Sequence, residues 1–330
     1  MAILANEKIL TLDYWKPARK LQVGDYVFNP EGKLVKVTMV QEYRSEECYE
    51  VTFNDHLTIS GDHHLTLPVE DQVYRNRTYQ YKNKKKFRRP LTLLKVIRLL
   101  ELPLVSKRNR GVYSTPTAKP LEFPHQTLPV PPFIFGFWFF NRRSNKVMTS
   151  PKGYKDHIYQ QFQDAGYKVT EHKKVTNGER SFSVYPSIES QLIPDIPRSI
   201  PNNYLLASAE QRLELLRGIM YSKSRQYKKS SDRFQFSSYY RSEILKMQAL
   251  LESMGLRTTS TYDVTRKNYR IRFKSRLQLM DHQESPPVKV HISRRYIKKI
   301  TQIQGQSCVH IETDGPDNSI VVGEGFIACL

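Results

Sequence analysis

Hydrophobic and polar positions change their rhythm twice along this chain. From residue 1 to about 70 the apolar positions come in short runs, Lys8–Leu12, Tyr26–Phe28, Leu34–Gln41 and Tyr49–Phe53. Short apolar or alternating runs bounded by turn residues predict strands. Gly24-Asp25, Asn29-Pro30-Glu31-Gly32 and Ser60-Gly61-Asp62 supply those turns. The stretch therefore predicts an all-β module. Residues 75–130 are first basic and then rich in proline, at Pro116, Pro120, Pro124, Pro129, Pro131 and Pro132. They read as an insertion (about 75–115) followed by a linker.

From 131 to about 280 helical periodicity takes over, interleaved with basic and aromatic strands, and the pattern runs through twice. The first copy opens with a helix over Pro132–Asn141 and has a second over Tyr154–Ala165; the second copy has helices over Ala209–Tyr221 and Ser242–Met254. Each second helix stops at a glycine followed by a hydrophobic residue, Gly166-Tyr167 and Gly255-Leu256, the arrangement of a glycine C-cap. Gly136 and Gly218 lie 82 residues apart. Strands are predicted over Ser181–Tyr185, Arg233–Ser237, Thr258–Asp263 and Tyr269–Phe273. The last alternates basic with apolar, so one face can meet a core while the other meets solvent or phosphate. After about 288 the β rhythm returns over Val288–Ile292, Ile297–Ile303, Val309–Glu312 and Ser319–Val322.

Charge changes this picture. Lys and Arg number 52 against 32 Asp and Glu, a net +20. The excess is concentrated: 75–110 holds thirteen basic residues and one acidic one, Glu101. Such a balance suits a polyanion, because basic side chains release the counterions condensed on phosphates. Three clusters carry it: Arg75, Arg77, Lys82, Lys84, Lys85, Lys86, Arg88 and Arg89; then Arg225, Lys228, Lys229 and Arg233; then Arg266, Lys267, Arg270, Arg272 and Lys274. The longest apolar run, Phe133 to Phe140, is far short of the roughly 20 residues that span a bilayer. The first residues lack the layout of a signal peptide. A soluble intracellular protein with no membrane partner is expected. Cys48, Cys308 and Cys329 form no close pair, so neither a disulfide framework nor a zinc site is expected.

Several segments resemble the conserved blocks of an intein, that is, a Hint (hedgehog/intein) splicing domain. Lys8-Ile9-Leu10-Thr11 with Trp15-Lys16-Pro17 and Val23-Gly24-Asp25-Tyr26-Val27 resembles the first block, and Ser60-Gly61-Asp62-His63 the second. Cys308-Val309-His310-Ile311-Glu312-Thr313-Asp314 and Asn318-Ser319-Ile320-Val321-Val322-Gly323-Glu324-Gly325-Phe326-Ile327 resemble the last two. The two glycine-centred helices resemble the paired motif helices of a LAGLIDADG homing endonuclease. The resemblance implies a Hint domain built from both chain ends (1–130 and 286–330). An α+β pseudo-twofold insert (131–285, halves 131–207 and 208–285, each αββαββα-like) sits between them.

The same resemblance implies chemistry that these residues do not supply. Splicing needs Cys or Ser at the intein's first residue; spacing puts Ala2 there, and alanine has no nucleophile. The closing His-Asn pair, in which Asn cyclises, is replaced by Cys329 and Leu330, and leucine cannot cyclise. The chain starts with its own Met and ends at Leu330, so no flanking segment is expected for it to join. His63 is then read as a turn-end histidine with a structural hydrogen bond. In the endonuclease each motif helix delivers a metal-binding Asp five positions after its glycine. Here those positions are Asn141 and Lys223. The reading is a monomeric, domesticated protein that binds double-stranded DNA, has no metal or other cofactor, and neither splices nor cuts. Two alternatives stay open: an active endonuclease using magnesium and acidic residues such as Asp232 or Glu210, and a subunit that binds RNA or protein.

Overall fold

The computed structural model describes residues 2–71, 92–106, 110–141, 148–150, 153–174, 180–192, 199–223, 225–226, 233–275, 277–280 and 294–330. Contacts divide the chain into two units, one from Met1–Glu122 with Val290–Leu330 and one from Phe123–Lys289. Among the described residues no helix is long and apolar enough to cross a membrane.

The first unit is built from both ends of the chain. Its larger sheet has ten strands, in the order Tyr26–Phe28, Leu34–Arg44, Ser307–Thr313, Ala2–Leu4, Thr58–Asp62, Glu47–Phe53, Arg294–Gln304, Tyr113–Pro116, Thr66–Asp71, Thr92–Lys95. A four-stranded sheet runs Ile327–Cys329, Ile320–Val322, Lys8–Leu10, Trp15–Pro17. Strand alternation decides which side chains enter the core. In Glu47–Phe53, Val51 and Phe53 are fully buried while Glu50 and Thr52, which alternate with them, are partly open. Ser307–Thr313 sits between Leu34–Arg44 and Ala2–Leu4, and Arg294–Gln304 between Glu47–Phe53 and Tyr113–Pro116, so neither end can complete this core alone. The buried thiols of Cys48 and Cys308, on the two contributing segments, lie 3.8 Å apart.

The second unit holds the duplicated pattern. Its first motif helix spans Pro132–Asn141, with proline at the opening position where the missing N–H costs nothing. Phe133 to Phe139 are all buried, as an apolar helix without a polar stripe requires. The second motif helix spans Ala209–Lys223. The following helices, Lys155–Asp164 and Arg241–Ser253, both end as the sequence predicts. Gly166 and Gly255 take φ of +87° and +71°, and Tyr167 and Leu256 donate back to Phe162 and Leu251 carbonyls at 2.9 and 3.0 Å. That is the six-to-one bond of a Schellman cap, and its left-handed residue favours glycine. Each half carries a sheet. The first runs Met148–Ser150, Arg180–Tyr185, Lys168–Lys174; the second runs Arg225–Gln226, Arg233–Ser238, Asn268–Lys274, Thr258–Asp263. The second sheet repeats the order of the first with one edge strand added.

The structure corrects the sequence reading in places. The segment read as a linker contributes Phe123 and Val130 to the core of the second unit, and Gln211 brackets Gln126 by two hydrogen bonds of 2.7 and 2.9 Å. Short strands such as Ala2–Leu4, Thr66–Asp71, Met148–Ser150 and Lys168–Lys174 were not legible. The predicted strand Val288–Ile292 lies outside the described residues.

Candidate functional sites

In the first unit the backbone gathers the positions that the splicing motifs single out. Ala2 lies opposite His310 in the antiparallel ladder, and Ile3 lies opposite Gly61. The approach is tight: a Cβ on Gly61 would meet the Ala2 carbonyl at 2.4 Å. Five residues beyond Gly61 the strand Thr66–Asp71 begins, and Thr66 exchanges backbone hydrogen bonds with Leu330 at 3.0 and 3.3 Å. Ala2, His63, Cys329 and Leu330, far apart in sequence, thus border one stretch, Gly61 to Thr66.

What these groups can do differs from what the motifs suggest. Ala2 is fully buried. Cys329 is buried as well, its thiol donating weakly to the Ile327 carbonyl at 3.5 Å. Burial, with Glu7 nearby, pushes that thiol well above the ordinary cysteine range, so it stays protonated and is a poor nucleophile. A turn-end hydrogen bond is expected of His63 and the neighbouring His64; the His64 backbone N–H donates to Asp62 Oδ1 at 2.7 Å, while the exposed His63 ring rests on that of His64 with centroids 3.9 Å apart. Burial and then the neighbouring His63 hold the His64 imidazole below its usual range. The Asp62 carboxylate is fully buried, and Tyr43 donates its hydroxyl to Oδ2 at 2.5 Å. A cavity of about 630 Å³ opens beside this group, bordered by Tyr43, Asp62, His63, His64 and His310. Asp62, His63 and His64 place their candidate ligand atoms within 4.8 Å of one another, a set that the cysteine-based search for metal ligands overlooked.

Glu7 is the other unusual carboxyl. Its Oε1 accepts from the Ser60 backbone N–H at 2.8 Å, yet burial raises its pKa from 4.5 to about 7. An acid raised in the folded state favours folding while protonated. Stability should therefore be greatest at low pH on this account and fall as pH rises from about 4.5 through about 7. Urea titrations across that window are expected to show the decline in the parent and a flatter profile in Glu7→Gln.

In the second unit the motif helices meet at their glycines. A Cβ on Gly136 would lie 2.4 Å from the Leu215 carbonyl, and one on Gly218 would lie 2.1 Å from the Phe133 carbonyl. Each glycine thus faces the residue three before the other, a reciprocal contact that a pseudo-twofold axis would generate. At the end of the first helix Asn141 is fully engaged. Its Nδ2 donates to the Thr149 carbonyl at 2.6 Å and its Oδ1 accepts from the Thr149 N–H at 3.0 Å, so the carboxamide extends the strand like a peptide. Asp cannot donate, and its carboxylate would face a carbonyl oxygen. Asn141→Asp is expected to cost about 1–3 kcal/mol, read as a lowered denaturation midpoint. The second helix ends on Lys223, whose side chain, like that of Arg225, lies outside the described residues.

Among the predicted cationic residues, Arg75, Arg77, Lys82, Lys84, Lys85, Lys86, Arg88, Arg89, Lys228 and Lys229 also lie outside the described residues. The remainder converge on the second sheet. Ladder register pairs Arg233 with Lys274, Gln235 with Arg272 and Ser237 with Arg270, placing all six on one face. Phe234, Phe236, Ile271 and Phe273 fill the other face, and all four are buried. Arg233, Arg272 and Lys274 are exposed. Gln235 accepts from Arg272 Nε at 3.2 Å, which orients the guanidinium across the sheet. Arg270 differs from its neighbours because it is paired with Asp263, a partner the sequence reading did not foresee. Arg266 and Lys267 sit at the hairpin tip, where Lys267 has a φ of +50°.

No family model matches the chain. It is similar to the replicative DNA helicase DnaB of Mycobacterium intracellulare, 26% identical over 145 residues. That match covers 42% of this chain and 25% of the helicase, so the chain spans about a quarter of that relative's length. Among solved structures it is similar to the MchDnaB-1 intein, 25% identical over 21% of this chain and 53% of that one, with a TM-score of 0.20. It is also similar to I-DmoI in complex with DNA and Mn, 14% identical over 44% of this chain and 89% of that one, with a TM-score of 0.34. In its motifs the chain resembles an intein with an inserted LAGLIDADG homing endonuclease.

Proposed function

We propose that the second unit binds double-stranded DNA without cutting it, and that the first unit is a splicing domain that no longer splices. The observation that carries the DNA reading is the face on which Arg233, Arg272 and Lys274 stand exposed, over an underside filled by Phe234, Phe236, Ile271 and Phe273. Three cations on adjacent strands, with a hydrogen-bonding Gln235 and Ser237 among them, suit a phosphate backbone and base edges together. The likeness to a DNA-bound I-DmoI accords with this reading.

Loss of cleavage follows from the residues at the paired helix ends. Two-metal chemistry needs carboxylates to hold the ions that activate water. Asn141 spends its carboxamide on Thr149, and Lys223 adds a charge that repels a cation. Loss of splicing follows from Ala2, which offers no nucleophile, and from Leu330 and the protonated, buried Cys329 in place of the closing His-Asn pair.

Gel shift with a random duplex, paired with a supercoiled-plasmid assay, tests the DNA reading. Tight binding that weakens steeply with salt, and plasmid that stays supercoiled when magnesium is added, is the expected result. Magnesium-dependent nicking would restore the active endonuclease. Binding to RNA or protein in preference to duplex would replace the DNA partner.

A further inference from the structure

We propose that Cys48 and Cys308 are an oxidation site, forming a reversible disulfide that braces a bend in the first unit when a peroxide reaches them. Two strand pairs, Glu47–Phe53 with Arg294–Gln304 and Leu34–Arg44 with Ser307–Thr313, turn one common corner at residues 45–46 and 305–306. Backbone contacts lock that corner. The Ser45 N–H donates to the Gln306 carbonyl at 3.0 Å, and a Cβ on Gly305 would meet the Glu46 and Ser45 carbonyls at 2.4 and 2.5 Å. Cys48 lies just past the corner on one arm, and Cys308 just past it on the other. Both side chains are fully buried, and their sulfurs are 3.8 Å apart.

A disulfide has its sulfurs about 2.05 Å apart, so about 1.8 Å remains to be closed, less than an ångström by each sulfur. Rotation about the two Cα–Cβ bonds supplies a movement of that size while the locked corner stays in place. The two residues are 260 positions apart and belong to the two chain segments that build this unit. A bond between them would hold the segments together directly, where at present the covalent path runs through the whole second unit. Cross-links that close long loops restrict the unfolded chain most. The third cysteine takes no part, since the Cys329 thiol is turned to the Ile327 carbonyl of its own strand.

The fold also gives a small oxidant a way in. In the ladders Cys48 lies opposite Asp62, and Cys308 lies opposite Tyr43. Asp62, Tyr43 and residues 44–47 border the cavity of about 630 Å³, which is ample for hydrogen peroxide beside the pair. One peroxide makes one bond. Its O–O bond breaks as one sulfur becomes a sulfenic acid, and the other sulfur then displaces that oxygen as water. The two thiols lose two hydrogens and two electrons, and two waters leave. A dithiol reductant restores the thiols by exchange. Burial, with Cys48 beside it, pushes the Cys308 thiol up, so the reaction is slow at neutral pH. Contact between the sulfurs lets the second intercept the sulfenic acid before more peroxide arrives. The brace depends on neither the splicing nor the DNA reading.

Intact mass, peptide mapping and calorimetry of the full chain, reduced and after hydrogen peroxide, test the proposal. Peroxide is expected to remove two hydrogens from the intact mass and to join the Cys48 peptide to the Cys308 peptide. It should raise the melting temperature of the first unit by about 4–12 °C. Dithiothreitol should reverse all three changes. The reduced and oxidised forms are the same chain, so this comparison does not depend on how a variant folds. Cys308→Ala should abolish the link and the shift and leave Cys48 to advance to the sulfinic acid, whereas Cys329→Ala should preserve both. Recovery of both thiols unreacted, oxidation of either past the sulfenic acid in the parent chain, a link between two chains, or an internal link that leaves the melting temperature unchanged would overturn the brace.

Discussion

Gly218→Ala is expected to destabilise the second unit strongly. The added carbon would sit 2.1 Å from the Phe133 carbonyl oxygen and 2.8 Å from the Phe137 amide nitrogen. Both are backbone atoms of a helix whose side chains are buried on all sides, so neither can move without opening the core. Overpacking of a well-filled core typically costs about 1–3 kcal/mol, and a backbone-on-backbone clash belongs at or above the top of that range. At roughly 2–4 °C per kcal/mol for a unit of this size, the melting temperature should fall by about 6–12 °C. Gly136→Ala should act alike, since its carbon meets the Leu215 carbonyl at 2.4 Å. Gly166→Ala separates a clash from backbone strain. That glycine has a φ of +87° and open space around it, so its cost is the left-handed penalty alone, about 1–2 kcal/mol. Calorimetry on the three variants should rank Gly218 and Gly136 well below Gly166; equal losses would mean that the helices can part to admit a methyl group.

That contact also shows what the sequence could reveal. The glycines were legible as a pair because each sits mid-helix, where glycine costs about 1 kcal/mol and needs a compensating reason. The caps at Gly166 and Gly255 were legible for the same kind of reason: a left-handed residue leaves a local signature. The two-ended construction of the first unit was visible only through block resemblance, because strands of three residues such as Ala2–Leu4 and Ile327–Cys329 are too short to show alternation. Side-chain partnerships were invisible altogether. Nothing local indicates that Asn141 would bond Thr149, that Tyr43 would bond Asp62, or that Asp263 would hold Arg270. The Asp62-His63-His64 run was on view in the sequence, but adjacent residues normally diverge, and only the turn after Thr58–Asp62 brings their ligand atoms together.

Arg270 and its neighbours give the last expected result. Replacing Arg233, Arg272 and Lys274 together by alanine removes three exposed cations from one sheet face while leaving Phe234, Phe236, Ile271 and Phe273 in their core. If each meets one phosphate, the slope of log K against log salt should lessen by about 0.9 per residue, close to 2.7 in all. At about 0.1 M salt that is a loss of roughly 100–1,000-fold in duplex affinity. Arg270→Ala should matter less, because its charge is already spent on Asp263. Asp263→Asn should strengthen binding, since it frees that guanidinium and removes a carboxylate beside the face. The first sheet offers a contrast. Register places Lys168 and Thr170 opposite Tyr185 and Ser183, and Ser183 is bonded to His172 at 2.9 Å. Among the described side chains that face carries hydroxyls, His172 and one lysine, so Lys168→Ala should lessen the slope by no more than about 0.9. The two halves of a duplicated unit would then grip DNA unequally. The second half would supply the electrostatic hold and the first a weaker, hydrogen-bonding contact. Fluorescence anisotropy across a salt series for each variant measures both slopes, and equal losses from the two sheets would contradict the unequal grip while leaving DNA binding itself intact.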